Sequence, residues 1–285
     1  MTPINARTQL TGLIGWPVSH SFSPAMHNAA LAVLGLNWVY VPLPVPPDRV
    51  GDAVRGLPAL GFQGVNVTVP HKQAVMPFLD EISPAAQAIG AVNTILVEQE
   101  SGRLLGFNTD WRGFLADLVA KEVEVNGRHC LVLGAGGSAR GIVYALFQAG
   151  GRVLLLARRP EQAHQLAADL GNGFVEEIRS LAELESTAAQ TKAPLIINTT
   201  PLGMSPHVNG SPWPDDVPVP AGSFVYDLVY NPPETRLMRQ ALDAGCHACN
   251  GLGMLLRQGA ISFALWTGSD PDLSVMQEAL EAAGA

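Results

Sequence analysis

The chain has 285 residues, 47% of them apolar and only 15% Asp, Glu, Lys or Arg; this excludes a disordered polypeptide and suits one large domain or two ordinary ones. A net charge of −8 without a Lys/Arg-rich stripe excludes nucleic acid as an expected partner, although local cations and backbone amides can still hold an anionic small molecule. The opening MTPINARTQL holds no apolar signal core and no run reaches eighteen apolar residues, so a cytoplasmic chain without a membrane partner is expected.

TGLIGW reads as the first strand. Ser23-Pro24 then opens a helix, with serine as N-cap and proline at the first helical position, and Gly35 closes it. WVYVPLPV is a second strand whose prolines suit an edge or a strand end, and GVNVTVP is a third. Ser83-Pro84 begins another helix, and AVNTILVE with RLLGFNT reads as a hairpin. Short apolar runs alternating with helices are the signature of an α/β layer. At residue 128 the pattern restarts: RHCLVLGAGGSARGIVYALFQAGGRVLLLARR is strand, glycine turn, helix and strand, a βαβ unit. APLIINTT and SFVYDLVY supply further buried strands of a Rossmann-type sheet, and SPHVNGSPWPDDVPVPAG between them reads as an irregular surface loop. GMLLRQGAISFALWTG and the helix after Pro271 are apolar enough to need a surface to pack on, and a return to the first half is expected. The fold class is therefore α/β in two domains, residues 1–110 plus 252–285 and residues 111–251.

Three cysteines are too few for a disulfide framework. Cys246 and Cys249 form a CxxC, but a structural zinc needs four ligands, and neither a second CxxC nor a spaced histidine pair accompanies it. A redox CxxC opens a helix, whereas GCHACNG follows one and reads as a short strand. Core cysteines and no metal site are expected.

Gly134, Gly136 and Ala139 form G-x-G-x-x-A between an apolar strand and a helix. The first glycine makes the turn, the second lets backbone approach a diphosphate, and the small third residue lets helix and strand pack closely. The helix N-terminus then offers free amides to the phosphates. At the end of the second strand, where NAD binders place an acid, stand Arg158 and Arg159, with no acid before Glu161. A guanidinium can pair with a ribose 2′-phosphate that a carboxylate would repel, so NADP is the expected cofactor. The bland alternative is two solvated arginines.

Four segments of the first half carry polar residues where a plain core would be apolar: His20–Ser23, Asn66–Lys72, Ala91–Thr94 and Phe107–Asp110. Each could be a turn or cap, but four such clusters at strand ends suggest one shared site.

The stretches GWPVSHSFSPAMHN, NVTVPHK, IGAVNT, GFNTDWRG, GAGGSAR, NTTPLGM, DLVYNPPET and GLGMLLRQ run in this order over nearly the whole chain, and in them it resembles the shikimate dehydrogenase family. The resemblance implies an α/β catalytic domain joined to a Rossmann domain, with the C-terminal helices returning to the first. It implies reversible NADPH-dependent reduction of 3-dehydroshikimate to shikimate, in aromatic amino acid biosynthesis, by a monomer or homodimer. Ser21 and Ser23 then match the pair that binds the substrate carboxylate. Asn66, Thr68, Lys72, Asn93 and Asp110 match residues around the ring hydroxyls and the reacting carbon, while Gln258 and Tyr230 match further substrate contacts. The cofactor-binding set is Gly134, Ala135, Gly136, Gly137, Ser138, Ala139, Ala157, Arg158, Arg159 and Gly251, with Thr200, Met204 and Met254 near the nicotinamide. One departure stands out: the family's usual Asn-Arg-Thr reads Ala157-Arg158-Arg159 here, and Gln162 stands where a second arginine is common.

Hydride arriving at a ketone carbon leaves an alkoxide that needs a proton and a nearby positive charge. Lys72 can supply both, and Asp110 would hold its ammonium, making these two the expected catalytic residues. Otherwise Lys72 is an exposed lysine after a Pro-His turn. Competing functions are a quinate/shikimate dehydrogenase with a broader pocket and NAD use, a non-catalytic NADP-binding regulator, and a folate-type dehydrogenase of similar plan. The regulator predicts loss of the Lys/Asp pair, and the folate-type enzyme gives no reason for Ser-x-Ser.

Overall fold

The computed structural model describes residues 4–284, which divide into two compact units. The first runs to Gly113 and resumes at Leu255; the second is Phe114–Met254.

In the first unit the chain forms β1 (Gln9–Gly15), α1 (Ser23–Val33), β2 (Trp38–Pro44), α2 (Val50–Gly56), β3 (Phe62–Val67) and the two-residue β4 (Glu81–Ile82). Then come α3 (Pro84–Ile89), β5 (Thr94–Val97), β6 (Leu104–Phe107) and the start of α4 (Asp110–Ala120). The sheet order is β2-β1-β3-β5-β6-β4. β1 pairs parallel with β2 and β3, whereas the β5–β6 hairpin runs antiparallel to β3. β2 lies at the edge, where Pro42 and Pro44 withhold no donor that a further strand would need. Ile14, Val54, Val65 and Ile95 pack in its core, all fully buried. Two further helices, α9 (Leu252–Thr267) and α10 (Leu273–Gly284), carry the end of the chain. From residue 255 on they belong to this unit, and α10 packs on α1. Trp266 of α9 donates its indole N–H to the Ile95 carbonyl at 3.0 Å. Its ring lies where a Cβ on Gly64 would point, 2.3 Å from Nε1, so only glycine fits beneath it.

The second unit holds β7 (His129–Leu133), α5 (Gly137–Gln148), β8 (Arg152–Ala157), α6 (Pro160–Leu170), β9 (Glu177–Ser180) and α7 (Leu184–Gln190). β10 (Leu195–Asn198), β11 (Phe224–Asp227), α8 (Arg236–Asp243) and β12 (His247–Asn250) complete it. Its sheet is parallel throughout, in the order β9-β8-β7-β10-β11-β12. The order reverses between β7 and β10, and in such a doubly wound sheet the crevice at that switch point receives the ligand.

Two local expectations are corrected. Ser23 does not cap α1 but is its first residue; Phe22 occupies the cap position, without a side-chain hydrogen bond. The Oγ of Ser21 instead accepts the Ser23 N–H at 3.3 Å. The stretch after β10 is irregular but not merely superficial. Trp213 is 1% exposed and donates to the Val217 carbonyl at 2.8 Å, and Val217 and Val219 join the same core as Leu133 and Ile196. Its prolines forbid a ladder, yet its apolar side chains still leave water.

Candidate active site

β3 delivers Asn66 and, one turn on, Lys72. His71 anchors that turn: its Nε2–H donates to the Val45 carbonyl at 2.7 Å, and the ring is buried. The Lys72 carbonyl accepts the Val92 N–H at 2.8 Å, tying this turn to the segment entering β5. Lys72 Nζ donates to Asp110 Oδ2 at 2.7 Å, with side chains only 12% and 8% exposed. Such a pair is screened far less than one on the surface. Asp110 is the first residue of α4, where a carboxylate also meets the positive end of the helix dipole.

Asn93 ties the pair to its surroundings. Its Nδ2 lies 2.8 Å from Asp110 Oδ1, 2.9 Å from Thr109 Oγ1 and 3.2 Å from Gln258 Oε1. Its Oδ1 accepts the Thr109 N–H at 2.7 Å. Gln258 reaches this cluster from α9 because Gly113 of α4 has no side chain; a Cβ there would lie 2.7 Å from the Gln258 backbone nitrogen. Asn66 is joined one step further in. Its Oδ1 accepts Tyr40 O–H at 2.9 Å, and its Nδ2 donates towards Ser262 Oγ at 3.0 Å, Thr94 Oγ1 at 3.2 Å and the Asn93 carbonyl at 3.3 Å. Thr94 and Thr109, from two of the polar segments singled out in the sequence, are buried members of this network, and Tyr40 and Ser262 join it without a counterpart among those segments.

Behind Tyr40 stacks His27, ring centroids 4.3 Å apart. Among the described residues neither ring nitrogen of His27 has a hydrogen-bond partner, and burial pushes its pKa down to about 3, so the imidazole is neutral. Ser21, Ser23 and Thr68 stand at the C-terminal side of β1 and β3, and the hydroxyls of Ser23 and Thr68 bond to no other described residue. Tyr230 belongs to the second unit, just past β11.

In the second unit the glycine turn links β7 to α5. Gly134 has φ +107°, a left-handed conformation that favours glycine, and a Cβ on it would press on Thr199 and Thr200. Gly136 faces open space, and no side chain caps α5, so the amides of its first turn are left for an anion. Ala135, Gly137 and Ser138 are half-buried around it, and Ala139 is fully buried against the sheet. Ala157 ends β8, and Arg158 and Arg159 after it are exposed, with no partner for either guanidinium among the described residues. Thr200 and Met204 follow β10. Gly251 approaches backbone so closely that a Cβ would lie 2.3 Å from the Leu228 carbonyl oxygen, and Met254 is buried in the first turn of α9. The turn thus fits a dinucleotide diphosphate, with two unpaired cations beyond the next strand.

Cys130, Cys246 and Cys249 are all free, and burial pushes the thiols of Cys130 and Cys249 up to about 12. Among the described residues no His/Cys/Asp/Glu group could hold a metal ion, and no helix is long and apolar enough to cross a membrane.

Residues 13–95 match the shikimate dehydrogenase substrate binding domain, and residues 251–281 match the shikimate 5′-dehydrogenase C-terminal domain. The NADP(+) shikimate dehydrogenase of Carboxydothermus hydrogenoformans is 44% identical over 278 residues, 97% of this chain and 98% of that protein. A crystal structure of a shikimate dehydrogenase in complex with NADP+ superposes with a TM-score of 0.91 at 39% identity, covering 99% of this chain and 98% of that one. The shikimate 5-dehydrogenase of Thermus thermophilus, solved with NADP(H) and shikimate, gives 0.86 at 40% identity over 96% of this chain and 99% of that one.

Proposed function

This chain belongs to the shikimate dehydrogenase family, and we propose that it catalyses 3-dehydroshikimate + NADPH + H+ ⇌ shikimate + NADP+. When bound, the dihydronicotinamide supplies the hydride. The chain's own residues do the rest. Ser21 and Ser23 hydrogen-bond the substrate carboxylate, while Asn66, Thr68, Asn93, Gln258 and Tyr230 hold ring hydroxyls. Lys72 places its ammonium at the ketone oxygen, where negative charge develops, and passes a proton to it. Asp110 holds the ammonium in place. Asn93 fixes Asp110 from its other side, so the pair needs little reorganisation as the charge appears. On the cofactor side, Gly134–Ala139 receive the diphosphate and Arg158 and Arg159 the 2′-phosphate, with Ala157 leading into them. Thr200, Met204, Gly251 and Met254 line the nicotinamide end. A cytoplasmic location and a monomeric or homodimeric state belong to the same proposal.

The observation that carries it is the Lys72–Asp110 pair, 2.7 Å apart and withdrawn from water. A non-catalytic relative would have no use for it. Steady-state rates with shikimate or quinate, each with NADP+ or NAD+, test it. The highest kcat/KM belongs to shikimate with NADP+; a preference for quinate with NAD+ would assign the chain to the broader enzyme instead.

A further inference from the structure

Asp227 ends β11 and is 0% exposed. Three donors converge on it from three segments. The Asn198 amide at the end of β10 donates to Oδ1 at 2.8 Å, and the Val229 N–H of the following turn donates to the same oxygen at 3.0 Å. Thr235, the N-cap of α8, donates its hydroxyl to Oδ2 at 2.6 Å. Burial pushes this carboxyl up to about 6 while the three donors pull it down, and each of them turns a hydrogen towards it.

That polarity fixes what lies beyond. With Nδ2 of Asn198 turned to the carboxylate, its Oδ1 faces Thr200 and accepts both the Thr200 N–H at 2.9 Å and its hydroxyl at 2.7 Å. The Thr200 Oγ1 in turn accepts the Leu202 N–H at 3.2 Å. The Asn198 Nδ2 also donates back to the Leu202 carbonyl at 3.3 Å, so Asn198 holds the 200–202 loop by both ends of its amide while Asp227 holds Asn198. The loop stands directly against the glycine turn, where a Cβ on Gly134 would lie 2.9 Å from Thr200 Cγ2. A stability role alone would be met by the Thr235 contact; the Asn198 branch leads instead to the loop.

We propose that Asp227 is a positioning residue for the nicotinamide end of NADP, acting through the Asn198 amide to set the place of Thr200 and the loop after it. This rests on the assignment of Thr200 to the nicotinamide end made above. It concerns one end of the cofactor only, and that makes it separable from a loss of fold.

The test compares two ligands by calorimetry: NADP+, and 2′-phospho-ADP-ribose, which lacks only the nicotinamide. Asp227→Ala and Asn198→Ala are expected to weaken NADP+ about tenfold, the scale of one or two lost hydrogen bonds, and to leave the fragment within about twofold. Asp227→Asn keeps an acceptor for Asn198, while the Thr235 hydroxyl can rotate to accept instead, so it should restore most of the affinity that alanine loses. Thr235→Val, which breaks only the other branch, should lower Tm without changing the ratio of the two affinities. Equal weakening of both ligands in Asp227→Ala and Asn198→Ala, or no weakening of either in the folded variants, overturns the positioning role. If Asp227→Ala does not fold, Asn198→Ala carries the test alone. Thr200→Ala tells the two failures apart. If it leaves NADP+ affinity unchanged, the nicotinamide assignment itself is wrong; if it weakens NADP+ while the Asp227 and Asn198 variants do not, only the role of Asp227 falls.

Discussion

Replacing Lys72 by alanine separates catalysis from stability, because the structure gives the two effects different signs in a double mutant. In Lys72→Ala the Asp110 carboxylate keeps its place, 8% exposed, and loses its cation. Removing one partner of a buried pair costs about 3–5 kcal/mol. The lower end applies here, since Asn93 Nδ2 still donates to the remaining oxygen at 2.8 Å. The catalytic loss is a different quantity: a placed proton donor is worth about 10²–10⁴ in rate. Thus kcat should fall by that factor while KM for shikimate shifts only modestly, since the charge met by Lys72 exists only as hydride arrives. Asp110→Asn should also lower kcat. The double variant removes the stranded carboxylate, so it should recover stability over Lys72→Ala and yet be no more active than the poorer single variant. Urea unfolding and steady-state kinetics on the four proteins read both quantities. Near-normal kcat in folded Lys72→Ala would refute the role of Lys72, and fully additive losses in kcat would refute the pair's acting as a unit.

Arg158→Ala should weaken NADP+ roughly ten- to hundredfold and barely touch NAD+, with Arg159→Ala a smaller loss in the same direction, measured as Kd for each cofactor; equal loss of both cofactors would displace the 2′-phosphate from this position. Ser21→Ala with Ser23→Ala should raise KM for shikimate and leave KM for NADP+ nearly unchanged, and since Ser23 is not the cap of α1, little of the effect should be lost stability. His27 refuses a proton until about pH 3, whereas the unfolded chain accepts one below the ordinary 6.5. Stability from this group is therefore intact above pH 6.5 and falls as pH drops, by about 2 kcal/mol at pH 5. His27→Phe, which can keep the stack on Tyr40, should lose less stability between pH 7 and pH 5 than the wild type; an unchanged acid slope would contradict this.

What was legible in the sequence was what is local in it. The glycine turn, its helix and both flanking strands lie within residues 129–157, and the pattern that forms them is contiguous. The Lys72–Asp110 pair spans 38 residues, and no local pattern joins the two; only the family resemblance does. Asn66 depends on Tyr40 and Ser262, 26 and 196 residues away, and nothing in the local pattern announces such partners. Ser262 did leave a trace: it is a hydroxyl inside an apolar helix, four residues from Gln258 and so on the same face. Ser-Pro shows how little a dipeptide decides. Ser83 is the N-cap of α3, its Oγ accepting the Ala86 N–H at 3.4 Å, while Ser23 before Pro24 lies inside α1 because Phe22 already has helical dihedrals. Trp213 is buried inside a stretch that reads as a surface loop because Pro and Gly mark irregular backbone, which is not the same as exposure.

The most direct test of the central assignment follows the transferred hydrogen itself. The protein is incubated with 3-dehydroshikimate and NADPH deuterated at both C4 positions, and the product is examined by mass spectrometry and NMR. Direct hydride transfer predicts shikimate carrying one deuterium, on the ring carbon that bore the ketone. Shikimate without that label, or no shikimate formed at all, would contradict it.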